Sequence, residues 1–119
     1  MERDLRAKLL RLRQKAAGMF SEPDLLRRLL LDSLSTFCVL FRHALALNGV
    51  DAPARKRAII ELATQYFAID AAPFQRLLDV REERIKPREF EPVALLTGYL
   101  QGISAVASAV DRLGKQETR

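Results

Sequence analysis

The sequence predicts an all-α protein, an up-and-down bundle of four to five helices around one long central helix. The stretch Leu25–Asn48 reads as a single helix whose middle, Ser33–Phe41, carries no charge and is apolar on nearly every side. A helix that is apolar all round belongs at the centre of a domain rather than on its surface. Glycine and proline are scarce, at five residues each in 119, which is too little turn-forming sequence for an all-β fold. We therefore expect one domain over residues 1–119.

The first helix is predicted over Asp4–Ala17, because its apolar side chains recur at steps of three and four residues. These side chains form one stripe, made by Leu5, Leu9, Leu12, Ala16 and Met19. Basic residues take the remaining positions, spread around the polar side rather than gathered in one ridge: Arg3, Arg6, Lys8, Arg11, Arg13 and Lys15. We interpret them as a solvated face, and we expect Gly18 to end the helix.

The second helix is predicted to start at Ser21, a good N-cap residue, with Pro23 in its first turn. It is expected to end at Gly49, which adopts the left-handed conformation without strain. The third helix is predicted over Ala54–Phe67.

Asp70 is expected to cap a shorter fourth helix, about Ala72–Val80. The segment Arg81–Glu91 then reads as a charged connector whose positive and negative charges nearly cancel. The fifth helix is predicted over Pro92–Leu113, with Gly114 as its end.

The fifth helix carries a stripe of small residues, Gly98, Gly102, Ala105 and Ala109, which lets another helix come close. We expect the stripe to serve packing within the bundle, and a dimer interface is the alternative. Residues 92–110 are also uncharged and nearly long enough to span a membrane. Their polar residues and the helical spacing of their large apolar residues argue against a membrane span.

The charge balance is basic but mixed, with 20 Lys and Arg against 15 Asp and Glu and a net charge of +5. Binding to nucleic acid is compatible with this balance and is not required by it. The single cysteine, Cys38, lies in the apolar middle of the second helix and is interpreted as a small buried hydrophobic residue rather than a reactive thiol. With no disulfide possible within the chain and no signal-peptide pattern, we expect a cytoplasmic protein.

Few residues of the chain suit catalysis. There is one histidine, His43, which is too few for sites that need several His or Cys ligands, and glycine-rich phosphate loops are missing. The adjacent pair Glu82 and Glu83 lies in the connector and is interpreted as solvated. Arg42 and His43 form the most notable polar pair, either emerging from the core near the helix end or lining a cleft as an anion-binding pair.

Three segments of the chain carry a resemblance to a known family: LLLDSLSTFCVLFRHALALNG, then Pro53–Ala68, then FQRLLDVRE. Over Asp4–Leu113 the chain resembles the C-terminal all-α domain of bacterial and archaeal nucleotidyltransferase-like proteins. In those proteins a helical bundle accompanies a small α/β nucleotidyltransferase domain. The resemblance rests on the hydrophobic pattern and on a few polar marks, at Asp32-Ser33, Phe41-Arg42 and Leu78–Glu82.

The resemblance implies an accessory role. The family's catalytic domain carries a Gly-Ser dipeptide followed by paired aspartates that bind Mg²⁺, and this sequence has neither a Gly-Ser dipeptide nor an Asp-x-Asp pair. We therefore expect a non-catalytic substrate-binding or interaction domain, without cofactor or metal, that self-associates and works with a nucleotidyltransferase catalytic domain in cis or in trans. The residues expected to contact a ligand or the partner domain are Arg42, His43, Asp79 and Arg81.

The alternative is a stand-alone helical adaptor. It would bind nucleic acid through the basic first helix and through Arg55, Lys56 and Arg57. Such binding weakens steeply with salt, because cations on the protein displace counterions from the phosphates.

Overall fold

The computed structural model describes the backbone over residues 2–117 and the side chains over residues 4–112, and it confirms the all-α bundle. The elements are α1 (Glu2–Ala17), α2 (Pro23–Leu47), α3 (Lys56–Phe67), α4 (Ala72–Arg81), a short 3₁₀ helix (Pro87–Glu89) and α5 (Pro92–Glu117). The described backbone contains no strand.

The long second helix is central, as predicted, because α2 contacts each of the other α-helices. The fifth helix shares this position, since α5 also contacts all of the others. The buried side of α2 is formed by Leu26, Leu30, Leu34, Phe37, Cys38, Leu40, Phe41, Ala44 and Leu45. One side of α2 nevertheless stays in solvent, where Thr36 is exposed and Val39 is 53% exposed. The bundle therefore buries most of the apolar surface of α2 and leaves one stripe of this helix open to solvent.

The chain between α2 and α3 doubles back along α2. Arg42 Nε donates a hydrogen bond to the Ala52 carbonyl over 3.1 Å, which places the loop beside the last turns of α2. At the other end of α3, the Tyr66 hydroxyl donates to Asn48 Oδ1 over 3.2 Å. Helix α3 therefore begins beside the middle of α2, ends near the C-terminus of α2, and runs in the same direction.

Helix α4 returns antiparallel to α2 and α3. The ring of Phe74, in its first turn, lies 5.5 Å from the ring of Phe41 in the second half of α2. At the other end of α4, an Arg81 guanidinium N–H donates to the Leu31 carbonyl in the first half of α2 over 3.0 Å. The last turn of α4 therefore lies beside the first turn of α3.

The small-residue stripe of α5 is used where α4 crosses it. A Cβ on Gly102 would lie 2.7 Å from Phe74 Cε2, and a Cβ on Gly98 would lie 2.9 Å from Pro73 Cγ. Both distances are too short for real contacts, so only glycine lets α4 approach this closely. The Phe74 ring then packs 5.0 Å from the ring of Tyr99. At these two glycines the stripe serves packing within the bundle, and the dimer interface stays a prediction.

The hydroxyl of Tyr99 is the main polar group of the core. Tyr99 is fully buried, and its hydroxyl donates to Ser33 Oγ over 2.8 Å, while Ser33 Oγ donates to the Leu30 carbonyl over 2.8 Å. The chain of two hydrogen bonds satisfies both hydroxyls, as buried polar groups require. Burial raises the pKa of Tyr99 well above its ordinary value.

The helix ends in the first half of the chain agree only in part with the predictions. Helix α1 ends before Gly18, and Gly49 ends α2 with a φ of 78° while the next amide, of Val50, donates to the Leu45 carbonyl over 2.8 Å. The cap predicted at Ser21 is wrong, because the N-cap position belongs to Glu22 and no side chain caps the helix there. Pro23 sits in the first turn, as expected.

The later helix ends show three further corrections. Helix α3 begins at Lys56 rather than Ala54, because the preceding residues are used to run back along α2. Helix α5 continues through Gly114 to Glu117, so the end predicted at Gly114 is wrong. The cap position predicted at Asp70 is also wrong, because Ala71 is the N-cap residue of α4, although Asp70 Oδ1 accepts a hydrogen bond from the Ala72 amide over 3.0 Å.

Two helices are long and apolar enough to cross a membrane by length and composition, Pro23–Leu47 and Pro92–Arg112. In each, 44% of the most apolar window is buried inside the bundle. This is weak evidence for a membrane segment, because the core helix of a soluble protein has the same length and composition.

Replacing Phe37 with alanine is expected to lower the free energy of unfolding by roughly 3–5 kcal/mol, the range for a buried aromatic side chain. The ring is 2% exposed and packs edge-on against Tyr99 at 6.0 Å. Urea unfolding followed by circular dichroism measures the loss. The matched control is Val39→Ala on the open side of the same helix, where a change within about 0.5 kcal/mol is expected. A loss below about 1 kcal/mol for Phe37→Ala would contradict this arrangement of the core.

Cys38 is expected to resist thiol reagents in the folded protein. It is 1% exposed, and burial raises the pKa of its thiol to about 11, although the charges of Lys56 and Arg81 act in the opposite direction. A raised pKa keeps the thiol protonated, and the protonated thiol is not the nucleophile. At about pH 8, Ellman's reagent should therefore react slowly with the native protein and fast with the protein in urea. Equal rates in the two states would show that Cys38 is accessible.

Candidate functional site

A basic concave surface lies between the first turn of α3 and the last turn of α4. This α3–α4 groove has a volume of about 410 Å³. Its lining consists of Arg55, Lys56, Arg57, Leu78, Arg81, Glu82 and Arg84. Cations from two helices and from the segment after α4 therefore face one space, with a single carboxylate among the lining residues.

The first turn of α3 lacks the residues that usually stabilise the start of a helix. Arg55 is the N-cap residue and makes no side-chain cap, and no acidic residue occupies the first turn. The first amides of a helix have no partner within it, and they give this end a partial positive charge. Lys56 and Arg57 in the same turn add two full positive charges, of which only that of Arg57 is offset by paired carboxylates, those of Asp79 and Glu82.

Among the described cations of the groove, Arg57 makes the most ion pairs, with Asp79 and with Glu82. Its Nη2 nitrogen donates hydrogen bonds to Asp79 Oδ1 over 2.9 Å and to Glu82 Oε1 over 3.2 Å. The hydrogen bonds to Glu82 and Asp79 raise the pKa of the Arg57 guanidinium. Glu82 Oε1 also lies 3.2 Å from Arg84 Nε. The ion pairs of Arg57 link the start of α3 to the end of α4, so Arg57 holds the two sides of the groove together.

The other cations of the groove are less engaged. In the described part of the chain, neither Arg55 nor Lys56 has a carboxylate within ion-pair distance. Arg81 uses one N–H on the Leu31 carbonyl, and a guanidinium has five such donors. Arg55, Lys56 and Arg81 are therefore available to an incoming anion.

The turn after α4 positions Arg84. Glu83 has a φ of 61°, in the left-handed region, and the Arg84 amide donates to the Asp79 carbonyl over 2.8 Å. This is the hydrogen-bond pattern that usually ends a helix at glycine. The turn bends the chain back, so that Arg84 lines the groove beside Glu82.

The structure separates the four residues that the sequence singled out. Arg81 lines the α3–α4 groove, and Asp79 lies at its edge as a partner of Arg57. Arg42 instead holds the loop through the Ala52 carbonyl. His43 is exposed on another part of the surface, beside Asp4, Ala46 and Leu47. Arg42 and His43 are neighbours in sequence, but they do not line the same concave surface as Asp79 and Arg81.

A second basic surface lies between α1 and α2. Three cations of α1, Lys8, Arg11 and Lys15, lie along one side of this surface and are called the α1 ridge. They border a groove of about 180 Å³ whose other lining residues are Leu12, Leu29, Ser33, Thr36 and Phe37. The ridge corrects the expectation that the basic residues of α1 are merely spread around its polar side. Arg6 lies apart from it and pairs with Asp111 of α5. The signal was present in the sequence, because positions 8, 11 and 15 are separated by three and four residues and share a helix face.

The described residues contain no group of three or more His, Cys, Asp or Glu side chains placed to hold a metal ion. The Arg and Lys side chains that line the α3–α4 groove supply groups that can bind an anion.

Comparisons with protein-family models, with curated proteins and with solved structures give no significant match for this chain.

Proposed function

We propose that this chain is a non-catalytic helical binding domain, and that its α3–α4 groove holds a phosphate-bearing ligand. The observation that carries the proposal is the convergence of cations from α3 and α4 on a helix start that has no cap and no acid. Helix N-termini with free amides bind phosphate and other anions.

The electrostatics of the free groove favour an anion. A cation near a helix N-terminus costs about 0.3–1 kcal/mol at an exposed site. Arg55, Lys56 and Arg57 all lie at this terminus, and only Arg57 is compensated by neighbouring carboxylates. A phosphate group reverses the sign of the interaction with both the helix terminus and the cations, so ligand binding relieves a repulsion present in the free protein.

The groove has the chemistry and the size for such a ligand. Arginine presents a planar fork that matches two phosphate oxygens, and lysine adds a compact charge. The volume of about 410 Å³ lies in the range typical of small-ligand sites, about 300–1,000 Å³. The remaining cations can contact further phosphates of the same ligand.

The resemblance to the accessory bundle of nucleotidyltransferase-like proteins supports the same assignment. Of the segments that carry it, Leu78–Glu82 contributes three lining residues to the groove, Leu78, Arg81 and Glu82. We accordingly place a nucleotidyltransferase catalytic domain, in cis or in trans, beside this bundle. The bundle would hold the phosphates of the substrate while the other domain performs the transfer.

Calorimetric titration with sodium pyrophosphate and with a nucleoside triphosphate at low ionic strength tests the groove. The double variant Arg55→Ala/Lys56→Ala should weaken binding by about tenfold or more, since hydrogen bonds to charged groups are worth about 1.5–3 kcal/mol each. Neither side chain has an ion-pair partner among the described residues, so the fold should be retained.

The matched control is Arg13→Ala/Arg88→Ala, which removes the same charge from exposed positions outside the groove. It should bind both ligands like the wild type. Equal losses in the two double variants would mean that only net charge matters. No binding by the wild-type protein at low salt would remove the proposal.

A further inference from the structure

We infer that the Glu82 carboxylate occupies the position of a second phosphate in the free α3–α4 groove. A ligand with two or more linked phosphates displaces this carboxylate, whereas a single phosphate binds beside it. The inference rests on the proposed function, and it names the ligand class of that site as a chain of linked phosphates. Glu82 is then the residue that sets the specificity of the groove.

The carboxylate of Glu82 already holds the place of an anion in the groove. Arg57 engages both of its oxygens, since Nη2 donates to Oε1 over 3.2 Å and Nε donates to Oε2 over 3.3 Å. Glu82 Oε1 also lies 3.2 Å from Arg84 Nε. Among the described residues that line the groove, Glu82 is the one acidic side chain. Two guanidinium groups therefore converge on a single carboxylate.

Arg57 holds Glu82 in a geometry that also suits a phosphate. A guanidinium fork donates two parallel hydrogen bonds to two oxygens, and it recognises carboxylates and phosphates in the same way. The Nε and Nη2 atoms of Arg57 form such a fork on the two oxygens of Glu82. A phosphate that replaced the carboxylate would therefore meet these donors, and Arg84 beside them, without a rearrangement of the groove.

The cations that line the groove fall into two sets. Three of them have no carboxylate within ion-pair distance in the described part of the chain: Arg55, Lys56 and Arg81. The other two, Arg57 and Arg84, are paired with Glu82. A single phosphate can bind to the first set and to the start of α3. A second phosphate linked to it needs the second set and has to compete with Glu82.

The side chain of Glu82 can leave the groove without disturbing the turn that carries it. The backbone of this turn is held by its own hydrogen bonds, from the Glu82 amide to the Leu78 carbonyl and from the Arg84 amide to the Asp79 carbonyl, both over 2.8 Å. The Glu82 side chain is 37% exposed, and ion pairs at exposed positions contribute little to stability. Displacement of the carboxylate therefore costs the fold little.

Arg57 keeps its place when Glu82 leaves. Its Nη2 nitrogen also donates to Asp79 Oδ1 over 2.9 Å, and Asp79 does not line the groove. This pair continues to hold the guanidinium at the groove after the pair with Glu82 is broken. The two carboxylates therefore have different roles, since Asp79 positions Arg57 and Glu82 competes with the ligand for it.

The variant Glu82→Gln tests the inference, because it removes the charge and keeps the size of the side chain. In calorimetric titrations at low ionic strength it should bind sodium pyrophosphate more tightly than the wild type by about threefold or more, since the ligand no longer breaks two exposed ion pairs. Its affinity for sodium orthophosphate should change by less than about twofold. The matched control is Glu83→Gln, which removes the same charge from the next residue, exposed and outside the lining, and should bind both ligands like the wild type.

An NMR titration of the wild-type protein gives a second measurement that needs no substitution at Glu82. The side-chain Nε–H signals of Arg57 and Arg84 report directly on the groups that Glu82 engages. Saturation with pyrophosphate should shift both signals, because a phosphate replaces the carboxylate. Saturation with orthophosphate should shift them much less.

The outcomes separate this inference from the proposed function. If pyrophosphate binding depends on Arg55 and Lys56 but Glu82→Gln and Glu83→Gln bind it equally, the inference fails while the phosphate site stands. Weaker pyrophosphate binding by Glu82→Gln would also overturn it, because Glu82 would then support the groove. Equal shifts of the Arg57 and Arg84 signals with the two ligands would contradict the selection of linked phosphates. If the wild type binds neither ligand, both proposals fail.

Discussion

The contact between the Phe74 ring and the backbone of Gly102 determines where α4 lies. The ring edge occupies the space that a Cβ on residue 102 would need, at 2.7 Å from Phe74 Cε2. The ring is thereby held between Phe41 of α2 and Tyr99 of α5. One end of α4 is thus fixed in the core, and its other end brings Arg81 and Glu82 to the start of α3. The basic groove depends on an apolar contact at the far end of the same helix.

The start of α3 gains little from local sequence and depends on tertiary contacts. It has no cap, no acid in the first turn and consecutive cations where acids are favoured. Its C-cap residue, Ala68, is in the left-handed region at a φ of 55°, where a non-glycine residue pays a steric cost. The helix is held instead by the burial of Ile59, Ile60 and Ala63 and by the Arg57 pairs. Local conflict of this kind is characteristic of functional sites, and here it coincides with the basic α3–α4 groove.

The fold could be predicted from the sequence because the apolar residues that form its core recur periodically. The apolar stripe of α1 and the uncharged middle of α2 identified the core without any knowledge of the partners. A helix end could be predicted from the sequence where a single residue determines it, as at Gly49. It could not be predicted where packing against other helices determines it. Gly114 costs a helix only about 1 kcal/mol, and α5 continues through it.

The site was harder to predict from the sequence, because it depends on which helix ends lie together in the fold. Arg42 and His43 stand out along the chain, but the groove joins Arg55 and Lys56 to Arg81 and Arg84, which lie in separate segments. Their meeting requires α3 and α4 to be antiparallel and the chain to turn at Glu83, a residue without the glycine that usually marks such a turn. No pattern of spacing within one helix contains that information.

The central claim is that the α3–α4 groove binds a phosphate-bearing ligand. An amide NMR titration of the isotopically labelled protein with sodium pyrophosphate tests this claim most directly. We expect the perturbed amides to cluster at residues 55–57 and 81–84, with little change along α1 and α5. Perturbations that are concentrated on α1 or α5, with none at the groove, would contradict the claim.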